Sequence, residues 1–338
     1  MSGYEVLWFV LIMVLLCGYI VLDGFDLGVG GWALTARTEE ARWRMMRSIL
    51  PYWDGNEVWL ITGAGAVFAA FPHVYATVFS GFYLALMLVL FALIMRAVSL
   101  EFYHQFDWVW WRKIWGVFFG LSSLVAALLF GVAAGNLIQG IPLDAQHNYH
   151  AGLIGLINPF SILVGVTVLA MTVMHGALFL VMKTDGEISA EARRNAQSAH
   201  AVFVVLLLTC FAVAITSHAH LLTNYLHLPV LWLLPLLAVV FAASAGVQNA
   251  QERPTQAFLM SVACVVAIFA TLSAAVYPNL VYASNNPDLS LTIFNARSGV
   301  YTLRVMSVIA FLVLPVIAIY SVWVHLIFRG KATDEHAY

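Results

Sequence analysis

The sequence predicts an all-α polytopic membrane protein with nine transmembrane helices, and three observations carry that prediction. Apolar residues make up 62% of 338 positions, and mean hydropathy is +0.90. Charged residues make up only 9%, against about 25% in an ordinary soluble domain. The apolar residues come in long runs rather than in alternation, which excludes an outer-membrane barrel. With 15 basic and 17 acidic residues, the chain could not cover a water-soluble globule. Soluble enzymes, nucleic-acid binders and disordered chains are therefore excluded.

A span needs about 20 apolar residues. Nine runs qualify: 5–33, 57–76, 78–98, 114–137, 158–182, 199–222, 229–247, 257–278 and 304–328. Residues 57–98 form one apolar stretch about twice a span long, with Phe71-Pro72-His73 in its middle. Proline disfavours helix continuation, so the stretch divides into two helices joined by a tight turn. The basic residues agree with this parity. Thirteen of them, from Arg37 through Arg96, Lys183 and Arg253 to Lys331, follow odd-numbered spans, and only Arg297 and Arg304 fall on the other side. By the positive-inside rule the N-terminus is outside and the C-terminus inside. The hydrophobic pattern allows two groups of four helices plus one peripheral helix in a single integral-membrane domain. The first run is too long for a signal-peptide core and lacks a basic leader, so it is expected to stay as a helix. Cys17, Cys210 and Cys264 lie in apolar runs without a CxxC pair and read as buried small residues.

In such a composition the acidic residues inside spans are the outliers. Asp23 and Asp26 sit near the inner end of span one, in Asp23-Gly24-Phe25-Asp26-Leu27-Gly28-Val29-Gly30-Gly31. Asp23 follows Glu5 by ~27 Å of helix, just inside the cytoplasmic edge of a ~30 Å hydrocarbon core. Spacing of three puts both carboxylates on one helix face. An intramembrane carboxylate costs at least ~2.5 kcal/mol and should face other helices or water. A proton-relay or ion-binding role competes here with simple helix-end capping. The glycines permit close helix approach or local unwinding. A second cluster, Trp53-Asp54-Gly55-Asn56-Glu57-Val58-Trp59, opens span two at the same face. Asp54 and Asn56 are good N-cap types, and Glu57 suits the first turn. The two clusters together would make a carboxylate-lined inlet from the cytoplasm. Trp53 and Trp59 fit an interfacial aromatic belt.

The remaining polar residues have simpler readings. His175 and His325 lie within spans and favour hydrogen-bonded packing over haem ligation. There is no CxxCH, HExxH or P-loop. Asn158-Pro159 reads as an N-cap followed by proline at the first helical position. Arg96, with Glu101 after it, reads as a snorkelling exit from span three.

These motifs resemble a known family. Asp23 to Gly30 resembles the DGFD(L/M)GVG signature of subunit II of cytochrome bd-type quinol oxidases, including the cyanide-insensitive branch. Trp53 to Thr62 resembles its WDGN(E/Q)VWL(I/V)T signature, and Ser80-Gly81-Phe82-Tyr83, Gly135 to Gly140 and Asn158-Pro159-Phe160 are similar to further blocks in the same order. The similarity is close over spans one to five and looser beyond. The resemblance implies the non-haem subunit of a terminal oxidase in the bacterial inner membrane, which couples quinol oxidation to reduction of O₂ to water without pumping. It implies no complete active site or metal ligand in this chain. Haem b and haem d, or haem b alone, would belong to a partner subunit I across a pseudo-two-fold interface. Small single-span accessory subunits and a structural quinone also fall within what the family allows. The family's proton-path carboxylates match Asp23 and Asp54, with Asp26 and Glu57 beside them, and its oxygen-path tryptophan matches Trp59. From the residues alone, two other functions stay open: a secondary transporter with Asp coupling sites, and a haem electron carrier using His175.

Overall fold

The computed structural model describes residues 3–332. Its helices are α1 Tyr4–Ala33, α2 Glu39–Arg47, α3 Trp53–Ala70, α4 Pro72–Gly81, α5 Tyr83–Phe102, α6 Val109–Gln139, α7 Gly152–Leu156, α8 Pro159–Lys183, α9 Gly186–Ser217, α10 Thr223–His227, α11 Leu233–Ala250, α12 Pro254–Val276 and α13 Val300–Ile327. Among the described residues eight helices are long and apolar enough to cross a membrane, and α3 with α4 makes a ninth, bent by 120°. The fold is therefore all-α and polytopic.

The break at Phe71-Pro72 falls where proline ends a helix, but the turn differs from the expected hairpin. A ten-residue helix, α4, fills it, and a second break at Phe82 precedes α5. Span three accordingly runs 83–102 rather than 78–98. Helix α9 starts at Gly186, thirteen residues before its apolar run. Its polar lead-in is rich in Ala, Glu and Arg, which are strong helix formers and need no lipid to stay helical. Asn158 does cap α8: its side chain accepts from Ser161 N at 2.9 Å, with Pro159 at the first position.

Helices α1, α3, α5 and α6 form one group and α8, α9, α11 and α12 the other. α1 and α8 meet at the seam between the groups. Gly28 faces Gly176 there so closely that a Cβ on Gly28 would stand 1.9 Å from the Thr172 carbonyl oxygen. Gly28 thus serves close approach, and α1 stays helical throughout. Phe25 of α1 stacks on Phe179 of α8 at 4.1 Å, extending the same seam. α13 lies peripherally on α1 and α3, with most of its surface bare.

At one end of the bundle, the 279–303 loop folds as a short antiparallel pair, β1 Asn279–Val281 and β2 Leu291–Thr292. Asn285 binds both backbone groups of Leu143, at 2.9 and 2.8 Å. Glu5, the first residue of the first apolar run, is buried and pairs with Arg297 at 3.2 Å. At the opposite end lie α2, the start of α3 and the end of α8, where most basic residues gather.

Candidate functional site

Asp23 stands two-thirds of the way along α1 and is fully buried. A bare carboxylate could not persist there. It is met by Arg96 of α5, whose guanidinium reaches both carboxylate oxygens, at 2.8 and 2.5 Å. Such fork-on-fork geometry is the strong form of this pair. Arg96 also reaches Glu57 Oε1 of α3 at 3.0 Å. The expectation that Arg96 snorkels to the interface is therefore wrong: it is 0% exposed. A long cation near a helix end can reach outward to headgroups or sideways to a buried acid, and the partner on α1 decided between them.

Asp26, one turn along on the same face, is fully buried too. Asn56 of α3 donates to its Oδ2 at 2.8 Å and to the Leu22 carbonyl at 2.9 Å. Asn56 is thus no N-cap. Helix α3 begins at Trp53 with Tyr52 at the cap position and no side-chain cap bond, so neither Asp54 nor Asn56 caps it. Asp54 sits in the first turn and is exposed; Glu57, one turn inward, is partly covered. The four acids therefore run from an exposed carboxyl at Asp54, through Glu57, to buried Asp23 and Asp26. Two carboxyl groups, Asp23 and Glu57, share a single guanidinium within this cluster, and Asp26 lies beside them on Asn56. The Tyr19 hydroxyl, one turn before Asp23, Asp26 Oδ1 and Arg96 Nε are all buried and make no hydrogen bond. Orphaned buried polar atoms of this kind are where ordered water binds.

Trp59 is set apart from the cluster. Its indole donates to Ser321 Oγ of α13 at 3.3 Å, and its ring fills the space over Gly18 of α1. It wedges three helices together.

The buried histidine does not fit an iron. Both ring nitrogens of His175 are engaged within the chain, by Ser261 Oγ at 2.7 Å and the Val21 carbonyl at 3.1 Å. Its ring stacks on Phe258 at 4.7 Å. Among the described residues no group of three or more His, Cys, Asp or Glu could hold a metal.

Sequence reasoning missed Arg96 and Asn56 as members of this site. The signal for Arg96 was its position: a lone cation at the inner end of a span, level with two acids on another.

Together, fold and site define a polytopic membrane subunit that keeps a compensated carboxylate cluster near its basic end and carries no redox ligand set on its buried histidine. The chain belongs to the cytochrome bd terminal oxidase subunit II family, whose model matches residues 4–328. The match runs through spans six to nine, where the motifs alone were loose. Cytochrome bd-I ubiquinol oxidase subunit 2 of Escherichia coli (strain K12) is 35% identical, over 99% of this chain and 97% of that protein. Cytochrome bd ubiquinol oxidase subunit 2 of Bacillus subtilis (strain 168) is 36% identical, over 99% and 98%. The bd oxidase from Geobacillus thermodenitrificans contains a chain that superposes with a TM-score of 0.79 at 16% identity, covering 96% of this chain and 98% of that one. The protein is therefore a subunit of a cytochrome bd quinol oxidase, an oxidoreductase of respiratory electron transport, and a multi-pass inner-membrane protein. Family membership implies a complex with subunit I and haems carried by that partner.

Proposed function

We propose that this chain feeds protons from the cytoplasm toward the partner's site of O₂ reduction, with Asp54 as the entry and Glu57, Asp23 and Asp26 as the inner steps. The single observation that carries the reading is the buried Asp23–Arg96–Glu57 array with Asp26 beside it. A cluster with more carboxyls than cations can keep an exchangeable proton, while Arg96 limits the cost of burying the charge. Water at Tyr19, Asp26 and Arg96 would complete the hydrogen-bonded path. The chain itself exchanges protons only; electrons stay on the partner's haems, either b and d or b alone.

The orientation that goes with this reading puts the N-terminus in the periplasm and the C-terminus in the cytoplasm. Subunit I packs across a pseudo-two-fold interface, and single-span accessory subunits join the complex. Trp59, through the resemblance, borders the oxygen path. A structural quinone would find a cavity of about 190 Å³ among α6, α8, α9 and α12, lined mainly by apolar residues such as Phe130, Phe160 and Phe203. Its Thr167, Tyr225 and Thr271 hydroxyls all donate to backbone carbonyls. That chemistry suits a prenyl tail better than a quinone headgroup.

The test uses the purified complex. Asp54→Asn should slow O₂ reduction while the haem spectrum stays intact. Loss of haem together with activity would make Asp54 an assembly residue and end the relay reading. A stable haem spectrum from this chain expressed alone would overturn the assignment of the haems to the partner.

A further inference from the structure

Three inner carboxyl groups stand around one cation, and their surroundings differ. Each oxygen of buried Asp23 takes an N–H of Arg96, at 2.8 and 2.5 Å. A proton on either oxygen would displace one tine of that fork, so Asp23 stays ionised. Glu57 accepts from the same guanidinium at 3.0 Å, and its side chain is 23% exposed. Cation and solvent together support its charge. Asp26 has neither. It is 0% exposed, and among the described residues no cation pairs with it. The charged groups that act on it are Asp23 and Glu57 against Arg96, so its surroundings already carry an excess of negative charge.

The one side chain that hydrogen-bonds Asp26 among the described residues is the neutral amide of Asn56, which donates to Oδ2 at 2.8 Å. A second bond fixes the orientation of that amide. Asn56 Nδ2 also donates to the Leu22 carbonyl at 2.9 Å, which a flipped amide would meet with its own oxygen. Oδ2 of Asp26 is thereby marked as the accepting, carbonyl oxygen of the group. Oδ1 is buried and makes no hydrogen bond within the chain. As half of a carboxylate it would be a charged oxygen without a donor, which costs far more than a neutral hydroxyl in the same place. We propose, building on the relay reading above, that the resting proton of the cluster sits on Oδ1 of Asp26, while Asp23 and Glu57 stay ionised around Arg96. Asp26 is then the proton store of the path, and Asp23 with Arg96 is the fixed ion pair beside it.

Infrared spectra of the purified oxidase complex read such a proton directly, because the C=O stretch of a protonated carboxyl stands apart from carboxylate and amide bands. At about pH 8 exposed carboxyls are ionised. There Asp26→Asn should remove one protonated-carboxyl band from the spectrum of the parent, whatever bands the partner subunit adds. Glu57→Gln should keep that band. Asn56→Ala should keep it and move it to higher frequency, because the amide that weakens the C=O bond is gone. This last variant leaves Asp26 in place and carries the test where Asp26→Asn fails to assemble. The proposal is overturned if Asp26→Asn removes no band, if Glu57→Gln removes the same band, or if Asn56→Ala leaves every band unmoved. Turnover of Asp54→Asn reports separately on the relay. Slowed turnover without an Asp26 band keeps the path and ends this assignment. An Asp26 band with full Asp54→Asn turnover ends the path and leaves the proton on Asp26.

Discussion

Arg96 grips both oxygens of Asp23 from a helix that lies 73 residues further along the chain. The pair joins α1 to α5 in the interior of the first helix group, and through Glu57 it ties in α3. One side chain thus holds three helices and compensates the deepest carboxylate of the site.

Removing one partner of a buried pair leaves the other uncompensated, at about 3–5 kcal/mol. Arg96→Gln should therefore lower the thermal stability of the complex and its yield by that order. Arg96→Lys keeps the charge but loses the fork, so it should fall between parent and Gln. Equal stability of all three in a thermal melt would show that the pair contributes nothing.

Asp23→Asn keeps the shape of the carboxylate but loses its charge, and it turns one of the two acceptors that face Arg96 into a donor. In the complex that assembles it should slow O₂ consumption per haem, with more misassembly than Asp54→Asn because Arg96 loses its bidentate partner. Unchanged turnover at full assembly would remove Asp23 from the path.

Asn56 is the sole side-chain donor found on Asp26 among the described residues. Asn56→Asp is nearly isosteric and turns that donor into an acceptor facing a carboxylate. A lost buried hydrogen bond costs about 1–3 kcal/mol, and the added charge makes the upper end the expected value. Denaturation of the complex measures the loss, and Asn56→Ala sets the scale for the bond without the charge.

Gly28→Ala tests the seam between the two helix groups. The new methyl would meet the Thr172 carbonyl at 1.9 Å, and backbone lies on both sides. Relief requires α1 and α8 to separate, at about 3 kcal/mol or more. Folded complex should be largely absent from membranes carrying this variant, whereas Gly65→Ala, where nothing lies within 4 Å, should accumulate normally.

The loop after α6 carries a pH-dependent contact. Asp144 accepts from the Asn148 and Gln146 amides, both at 2.8 Å, and from His150 Nε2 at 2.7 Å. The Asn148 amide foremost, then His150, hold its carboxyl down at about 2, against the usual 3.8. A depressed folded value means that the contact is complete above the unfolded value and is lost as pH falls from about 4 toward about 2. Hydrogen exchange at Asn148 and Gln146, corrected for intrinsic rate, should be flat from about pH 8 to about pH 5 and lose protection only below that window. Asp144→Ala should abolish the protection at every pH.

The sequence by itself determined the membrane class, the long apolar helices and the four acids, but not the short helices α2, α4, α7 and α10. Long apolar runs admit no other fold, and an acid inside such a run stands out against its neighbours. The two signature motifs were also enough to reach the family. Tertiary structure alone decided what those acids meet. Arg96 looked like an interfacial cation and Asn56 like a cap, because both assignments are correct for an isolated helix end. Local periodicity records which residues are apolar; it does not record which helix stands opposite. A buried charge takes its role from the partner that compensates it, and that partner is set by packing across the bundle.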